Sequence, residues 1–440
     1  MMEMTADPPI GSKHKNRNFL WFCLFIGIKG AENGVVIPTL FSYLKNEIRP
    51  VRDLHLWYGV ISCSYHVASI LGSLFFTRYS DRTRNNRRIF ISTCISIALG
   101  SFIYSLASFS VIFVWLGRLI QGFGDSISPI IVSEVIRNFT PQQCYHKINT
   151  LVSVYFLSFI TSPVITWMFS KCDFTFIGVR FTVMNLPILL ISCCWFACSL
   201  VCYTVIENIT KENHNNAEDE EVVDEAPLTF KELLSSEEFV LVLLMAGSAA
   251  YFSASFASIY LSMISYEYYH LPTWWVSTLF AISVATLFLS IVVFSKMNIA
   301  NGNKEIYFLV SGFCASIMAV QFLIAAVVYS SSNQAFGRSL LVLSAIATGF
   351  HYSSEQSLSV TILGKFIPPS TQAYAAGIRR ATQSFCSIFT SLFSPIITNH
   401  IVGHGIVFSC LMLVMIVYLL WKRRLFVDVK VIKRKQYKMK

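Results

Sequence analysis

The sequence predicts an all-α polytopic membrane protein with twelve transmembrane helices in two six-helix bundles. Of its 440 residues, 54% are hydrophobic and only 13% are charged, whereas about 25% of the residues in an ordinary soluble domain are charged. Apolar runs of about 18 or more residues recur along the chain, and about 20 such residues in a helix cross the roughly 30 Å hydrocarbon core of a bilayer. A polar, acidic segment separates these runs into two sets of six.

Each predicted span is an apolar run between charged or Pro/Gly-rich breaks. The first set covers residues 19–44, 56–77, 89–109, 111–137, 148–170 and 180–206. The break at 207–237 contains the stretch AEDEEVVDEAP and is typical of a solvated linker. The second set covers residues 238–265, 272–295, 305–329, 338–364, 374–398 and 402–421. The predicted domains are a cytoplasmic N-terminus at 1–18, an N-terminal bundle at 19–206, the acidic linker, a C-terminal bundle at 238–421 and a basic cytoplasmic tail at 422–440.

Lysine and arginine residues predict the orientation, because in short loops they stay on the cytoplasmic side of a membrane. With the N-terminus inside, the inner segments carry 26 of them and the outer segments carry six. Both termini are therefore expected in the cytoplasm. The basic residues are spread over every inner loop, which argues against a nucleic-acid patch as the meaning of the formal charge of +10. The dense tail suits either contact with anionic lipid or a simple stop-transfer anchor.

An internal repeat supports the division into halves. The fifth span contains SPVIT at 162–166, and the eleventh contains SPIIT at 394–398. Parallel six-helix repeats are one of the ways in which secondary transporters are built, with the substrate site near the midplane between them.

Two motifs resemble those of the major facilitator superfamily. After its second span that family has a loop of the form Asp-Arg-x-Gly-Arg-Arg. Asp81-Arg82 and Arg87-Arg88 match its ends, while the middle is two residues longer, Asn86 replaces the glycine, and Thr77 replaces a glycine four residues before the aspartate. The fourth span contains GRLIQGFG at 117–124, which is similar to the family's arginine followed by Gly-x-Gly. The resemblance implies a cytoplasmic gate that includes Asp81 and Arg82, and a role for Arg118 in proton or substrate coupling.

The first two spans narrow the resemblance. The stretches WFCLFIGIKGAENGVVIPTLFSYL and LWYGVISCSYHVASILGSLFFTRYSD resemble the lysosomal ceroid-lipofuscinosis branch of the superfamily. The likeness covers residues 19–206 well and the second half thinly. It implies a lysosomal or endosomal membrane, with the plasma membrane as the alternative.

Ionisable residues inside the spans are the candidates for substrate or proton coupling, because a charge at the bilayer centre costs about 2.5–3.5 kcal/mol on insertion scales. The candidates are Lys29, Glu32, Arg118, Asp125, His351 and Glu355. Lys29 and Glu32 share a helical face and form either an internal ion pair or a cavity-lining pair. Asp125 follows Arg118 by two turns on the same face. His351 and Glu355 lie one turn apart, and they could pass a proton or form a plain polar patch between helices.

Further charged residues belong to the inner ends of the spans. Glu134 and Arg137 are predicted to form a solvated gate pair, so the full predicted gate consists of Asp81, Arg82, Arg87, Arg88, Glu134 and Arg137. Arg379 and Arg380 open the eleventh span. They are either inner-side anchors or include one side chain that points into the central cavity. His66 is a lone polar residue in the second span.

The predicted function is secondary active transport of a small polar or charged solute by alternating access, with proton coupling left open. Neither a Gly-x4-Gly-Lys-Ser/Thr loop nor a His-Glu-x-x-His motif or nucleophile elbow occurs in the sequence, so an ATP-driven pump or an enzyme is not predicted. No cofactor and no metal site are expected. The alternatives are an anion-conducting channel on the same fold and a non-transporting sensor or scaffold. The expected partners are a small solute or ion and the lipid bilayer, and the protein is expected to be a monomer.

Overall fold

The first half of the chain folds into helices of membrane-spanning length. A computed structural model describes residues 10–46, 54–139, 141–169, 172–176, 178–206, 228–271, 273–296, 302–393 and 400–423. Its first half contains α1 (Ile10–Asn46), α2 (Leu54–Thr83), α3 (Asn86–Ser105), α4 (Val111–Gly124), α5 (Ile127–Asn138), α6 (Pro141–Met168) and α7 (Leu186–Thr204). A turn at Asp125 and Ser126 divides one span into α4 and α5.

A short antiparallel hairpin precedes α7. Its strands are β1 (Phe174–Phe176) and β2 (Val179–Phe181), with Phe174 opposite Phe181. Arg180 donates two hydrogen bonds to the Asp173 carboxylate, at 2.8 and 2.7 Å. The hairpin was not predicted. Because β2 is extended, the sixth span begins at Leu186 rather than at residue 180.

The second half repeats the pattern. It contains α8 (Phe230–Leu234), α9 (Glu237–Phe252), α10 (Leu261–Glu267), α11 (Thr273–Lys296), α12 (Gly302–Tyr329), α13 (Gln334–Phe366), α14 (Gln372–Phe393) and α15 (Ile401–Trp421). A π-helical segment at Ser253–Tyr260 joins α9 and α10 into one span. When α4–α5 and α9–α10 each count as one span and the short α8 is left out, the described residues form twelve spans, as predicted.

Some predicted boundaries differ from the observed ones. Helix α1 begins at Ile10, inside the segment predicted as a polar N-terminus. The end of the predicted linker contains the short helix α8. This helix begins with a capping box, in which Thr229 and Glu232 satisfy each other's backbone amides. Residues 1–9, 207–227, 424–440 and the predicted SPIIT repeat at 394–398 lie outside the described residues.

Each half has its own apolar core. In the N-terminal half the Phe25 ring packs beside the fully buried Trp195 and also beside the Phe90 ring. In the C-terminal half Phe252 and Phe256 stack within a separate cluster. Eight segments of the described chain are long and apolar enough to cross a membrane by composition alone. Each core is formed by its own half, apart from Val360 of the second half, which is buried in the N-terminal cluster.

Helix α14 is the main contact between the halves. It packs antiparallel along α2, while α6 contacts α11 and α13. Gly377 lies against the side chain of Thr77 near one end of this contact, and Gly59 lies against the backbone of Ser391 near the other. The polar residues of α14 recur at helical spacing on one side: Arg380, Gln383, Ser384, Ser387 and Ser391. That polar side is the one that faces the interior between the halves.

Gly122 is a position where side-chain volume should be poorly tolerated. A Cβ there would overlap the backbone carbonyl oxygen of Tyr65, so α2 and α4 would have to separate. We expect Gly122→Ala to lower the free energy of unfolding by about 1–3 kcal/mol, the usual cost of overpacking. Thermal unfolding of the purified protein in detergent measures this. The matched control is Gly403→Ala, because no other described residue comes within 4 Å of a Cβ at Gly403. Equal losses in the two variants would contradict the prediction.

Candidate functional site

A row of alternating charges crosses the centre of the molecule. Lys29 Nζ lies 3.3 Å from Glu32 Oε2 and 3.6 Å from Asp125 Oδ1. On the other side of Asp125, Arg380 Nε donates a hydrogen bond to Oδ2 at 2.9 Å, and a second guanidinium nitrogen bonds the same oxygen. The order is therefore Glu32, Lys29, Asp125, Arg380. Because Arg380 belongs to α14, this row joins the two halves.

Neutral donors complete the row. Trp195 Nε1 donates to Glu32 Oε2 at 3.3 Å, and Ser69 Oγ donates to Asp125 Oδ2 at 3.0 Å. Ser384 of α14 donates in turn to Ser69 at 3.2 Å, which adds a second bond between the halves. Buried charges persist in proteins when they are paired and hydrogen-bonded. Local structure places the central carboxylate, since Asp125 lies at the turn between α4 and α5.

Arg118 does not pair with Asp125, although the two-turn spacing predicted a shared face. Its guanidinium carbon lies 4.1 Å from the centroid of the Tyr65 ring, a cation–π contact. It also donates to Gln121 Oε1 at 2.9 Å, and Gln121 Nε2 donates to Ser101 Oγ at 2.9 Å. Lys29 occupies the place beside Asp125 instead. The sequence left open whether Lys29 and Glu32 form an internal ion pair or line a cavity. They form an internal ion pair, and neither lines the cavities described next.

Two adjoining cavities lie between the halves. The larger has a volume of about 310 Å³ and the smaller about 220 Å³. Their shared walls are formed by Ile37, Tyr155, Ser258, Tyr352, Arg380 and Gln383. Arg379 lines the larger cavity, which is otherwise mostly aliphatic and aromatic, whereas Arg118, His66 and several serines line the smaller one. Concave sites with apolar walls and a few convergent polar groups are typical ligand sites.

His351 and Glu355 form the predicted one-turn pair away from these cavities. His351 Nδ1 lies 3.2 Å from Glu355 Oε1 and 3.1 Å from the carbonyl oxygen of Gly312. The imidazole also packs on the Phe252 ring at a centroid distance of 4.4 Å. Both side chains are buried inside the C-terminal half and line neither cavity. That they pass a proton stays a prediction.

The predicted gate residues separate into two groups. Asp81 bonds Arg137 through Oδ1, and its Oδ2 accepts from the backbone amide of Tyr374 in the other half at 2.7 Å. Arg137 also lies 3.7 Å from Glu134. Glu134 and Arg137 are buried rather than solvated, since Asn86 Nδ2 donates to Glu134 at 2.5 Å and Asp81 covers the guanidinium.

The remaining arginines of the loop lie elsewhere. Arg82 and Arg88 are exposed. Arg87 donates to the carbonyl oxygen of Cys202 at 3.2 Å and lies over the Tyr203 ring, so it attaches the loop to α7. The gate contact that reaches the second half is therefore made by Asp81, with Arg137 and Glu134 behind it.

Arg380 is the member of the charge row that was not among the predicted site residues. The sequence left Arg379 and Arg380 as either anchors or cavity residues, and both line the larger cavity. The polar stripe of α14 was the available signal, because a helix with Arg380, Gln383 and Ser387 on one side needs a polar partner inside a membrane. His66, singled out as a lone polar residue, lines the smaller cavity.

Residues 20–337 match the sequence profile of the Major Facilitator Superfamily. The chain belongs to this superfamily. The predicted twelve-helix fold and the broad class, a multi-pass membrane transporter of small molecules, are therefore confirmed. The narrower resemblance to the ceroid-lipofuscinosis branch stays a prediction. No curated protein sequence matches the chain.

Solved structures of superfamily transporters have the same fold. The human organic anion transporter MFSD10 (TETRAN) is 12% identical, with 94% of this chain and 100% of that chain covered and a TM-score of 0.71. The proton:xylose symporter XylE is 12% identical, with 95% and 97% covered and a TM-score of 0.72. A bacterial homologue of the iron transporter ferroportin is 12% identical, with 94% and 98% covered and a TM-score of 0.61. At this identity the likeness shows the fold alone.

One departure from the superfamily's loop motif, on α2, is accompanied by a glycine on the facing helix α14. Thr77 replaces the glycine expected four residues before Asp81, and its hydroxyl donates to the carbonyl oxygen of Ser73 at 2.5 Å. Gly377 of α14 lies directly against this threonine, with no room for a Cβ. The close approach of α2 and α14 requires a small residue, and here that residue is Gly377 of α14 rather than a glycine of α2.

Proposed function

We propose that this protein is a secondary active transporter that carries a small polar or charged solute across the membrane by alternating access. The observation that carries the proposal is the pair of cavities between the halves, beside which the Asp125–Arg380 bond joins one half to the other. Solute sites of such transporters lie near the midplane at the interface of the repeats. The protein is proposed to act as a monomer, because each half already has a partner within the chain.

Alternating access requires contacts between the halves that can break at one end while they persist at the other. At the Asp81 end, Asp81 accepts from the Tyr374 amide, and the Arg78 guanidinium lies 5.5 Å from the Tyr374 ring centroid. At the other end, Gly59 lies against Ser391. A solute shifts such an equilibrium only by binding one state better than the other. Tyr155 of one half and Tyr352 of the other both line the cavities. A movement of the halves therefore changes the contacts of a bound solute, and with them its affinity.

A cross-link between the halves tests the proposal independently of any particular solute class. The variant carries Ile136→Cys and Gly364→Cys, because a Cβ at Gly364 would lie 3.7 Å from the side chain of Ile136 in the other half, which leaves room for a disulfide. Counterflow is measured in proteoliposomes with a panel of sugars, amino acids, organic acids and amines. Oxidation should stop counterflow of the solute that the panel identifies, and dithiothreitol should restore it. The Ile136→Cys variant alone should be insensitive to oxidant. Undiminished counterflow in the cross-linked protein would contradict alternating access between these halves.

An anion-conducting channel is the second candidate, because arginines rather than carboxylates line the cavities. The two candidates differ in a measurable way. A channel carries chloride current across a planar bilayer and shows no acceleration by solute on the far side, whereas a transporter shows counterflow. We expect counterflow, since the Asp81 contacts join the halves across one end of the cavities.

Proton coupling is the finer part of this proposal and has its own test. Glu355 is buried beside His351, and Glu32 is buried beside Lys29. We expect uptake to be faster at about pH 5 than at about pH 7, and Glu355→Gln to remove this difference because an amide binds no proton in that range. Glu267→Gln, at an exposed carboxylate, is the control. If neither Glu355→Gln nor Glu32→Gln changes the pH profile, these carboxylates do not couple protons.

The resemblance of residues 19–206 to the ceroid-lipofuscinosis branch supports a lysosomal or endosomal membrane, with both termini in the cytoplasm. Surface labelling of cells that express a tagged protein separates this from the plasma membrane. Protease treatment of intact organelles should remove a tag from either terminus. Protection of both tags would reverse the proposed orientation.

A further inference from the structure

We propose that the transported solute is an amphipathic organic anion whose acidic group binds the arginine pair of α14, Arg379 and Arg380. The proposal rests on the transport function proposed above and names the substrate class of the same site. Four observations carry it: the charges on the cavity walls, the arginines without a carboxylate partner, the exposure of Arg380 compared with Asp125, and the apolar walls of the larger cavity.

The ionisable side chains on the cavity walls are basic. Among the described residues that line the two cavities, the charged or titratable ones besides tyrosines are Arg379, Arg380, Arg118 and His66, and none is an aspartate or glutamate. Asp125 lies behind the wall, bonded to Arg380. A cavity in a membrane protein with walls of one charge sign selects solutes of the opposite sign.

Two of these arginines have only neutral partners in the part of the chain that the structure describes. Arg379 donates to Ser359 Oγ at 3.1 Å. Arg118 has Gln121 and the Tyr65 ring, and its Nε is buried without a hydrogen-bond acceptor. A guanidinium inside a membrane protein normally faces a counter-charge or a water-filled cavity. An acidic solute would supply the counter-charge that the protein itself does not.

Arg380 is the residue at which such a solute would compete with the protein. Its side chain is 31% exposed, whereas that of Asp125 is only 2% exposed. A solute can therefore reach the guanidinium but not the carboxylate. When Arg380 turns to the solute, Asp125 keeps Lys29 at 3.6 Å and the Ser69 hydroxyl at 3.0 Å. The exchange leaves no buried carboxylate without a partner, and it releases a bond that joins the halves.

The larger cavity explains why the anion should have an apolar body. Its aromatic walls are formed by Tyr155, Phe156, Phe159, Phe280 and Tyr352. Phe156 and Tyr352 meet edge to face across the two halves, with ring centroids 5.5 Å apart. A volume of about 310 Å³ holds an aryl group together with its acidic substituent. A bare inorganic anion would leave these walls unfilled.

Matched probes with one ring system and different head groups test the proposal. 2-Naphthoate, 2-naphthyl phosphate and the neutral 2-naphthamide are titrated onto the purified protein, with binding followed by the thermal unfolding midpoint. We expect at least one acid to bind about tenfold or more tightly than the amide, because the amide can accept a hydrogen bond from a guanidinium but has no negative charge to pair with it. Tighter binding of the naphthoate identifies a carboxylate substrate, and tighter binding of the phosphate ester identifies a phosphate substrate.

Variants assign the binding to the arginine pair. Arg379→Gln should weaken binding of the acid by about tenfold or more, and this side chain can be changed without breaking an ion pair. Arg338→Gln, at an exposed arginine outside both cavities, should leave binding unchanged. Asp125→Asn should tighten binding at temperatures where the variant remains folded, since it removes the competitor for Arg380. A purely structural role of Arg379 would not produce opposite effects from these two substitutions.

Several outcomes would overturn the proposal. Equal binding of the amide and the acids, no binding of either acid at millimolar concentration, or unchanged affinity in Arg379→Gln would each do so. The proposed transport function fails separately. If a sugar or an amine shows counterflow that the Ile136–Gly364 cross-link stops while the acids do not bind, the protein is an alternating-access transporter of a different substrate class. If no solute shows counterflow, the transport function itself is wrong.

Discussion

Asp125→Asn is expected to destabilise the folded protein more than any other single substitution in the cavity region. The change leaves the Arg380 guanidinium without its carboxylate and takes one of two counter-charges from Lys29. Removing one partner of a buried ion pair typically costs about 3–5 kcal/mol. Because Arg380 is partly exposed and can recruit water, we expect the lower end of that range, about 3 kcal/mol. Thermal unfolding in detergent measures the loss.

Two further variants separate charge from hydrogen bonding. Ser69→Ala removes the neutral donor to the same carboxylate oxygen and the acceptor of the Ser384 hydroxyl, but no charge, and should cost about 1–2 kcal/mol. The double variant Asp125→Asn with Arg380→Gln should lose less stability than the sum of the two single variants, because the second substitution removes the charge that the first left unpaired. If Asp125→Asn is no less stable than Ser69→Ala, or if the two effects simply add, the pair does not join the halves.

Asp81→Asn is expected to open the end of the molecule where the Asp81 contacts lie. The Asp81 carboxylate holds Arg137 and accepts from the Tyr374 amide in the other half, so neutralising it weakens both bonds at once. Charge-assisted hydrogen bonds are about twice as strong as neutral ones. We expect the backbone amides at the start of α14, from Gln372 to Gly377, to exchange with deuterium at least about tenfold faster. A loss of about 1.4 kcal/mol produces a tenfold change in an opening equilibrium.

Arg82→Gln is the control for this experiment. Arg82 is the next residue and belongs to the same motif, but its side chain is exposed. Its substitution should leave amide exchange at the start of α14 unchanged. Faster exchange in Arg82→Gln to the same extent would mean that the charge of the loop, rather than the bonds of Asp81, holds this end together.

The fold could be predicted from sequence because the membrane restricts the choices. A chain with apolar runs of membrane-spanning length has to form helices, as a backbone group without a hydrogen bond is too costly in hydrocarbon. The order of six runs, a polar break and six runs then predicted two bundles. Local details were less accessible. The hairpin before α7 carries a side-chain hydrogen bond between Arg180 and Asp173, and a hydropathy pattern encodes no such contact.

The site was predicted in part, for a physical reason. Charges inside the spans had to have partners, and Lys29, Glu32 and Asp125 do lie together. Spacing along one helix placed Arg118 and Asp125 on a shared face but could not predict the partners of Arg118. Its partners, the Tyr65 ring and Gln121, depend partly on how α2 packs against α4. His351 and Glu355, one turn apart on one helix, formed the pair that their spacing predicted.

The sequence by itself determined that this protein is a twelve-helix membrane protein with ionisable groups buried inside it, because hydrophobic length and the cost of intramembrane charge are properties of local sequence. Only the tertiary structure decided which charges meet. Asp125 and Arg380 are 255 positions apart in the chain and come together because α14 packs along α2. No periodicity within a helix encodes a contact between two bundles. The bond that joins the halves beside the cavities, and with it the basis for an anionic substrate, follows from the packing of one half against the other.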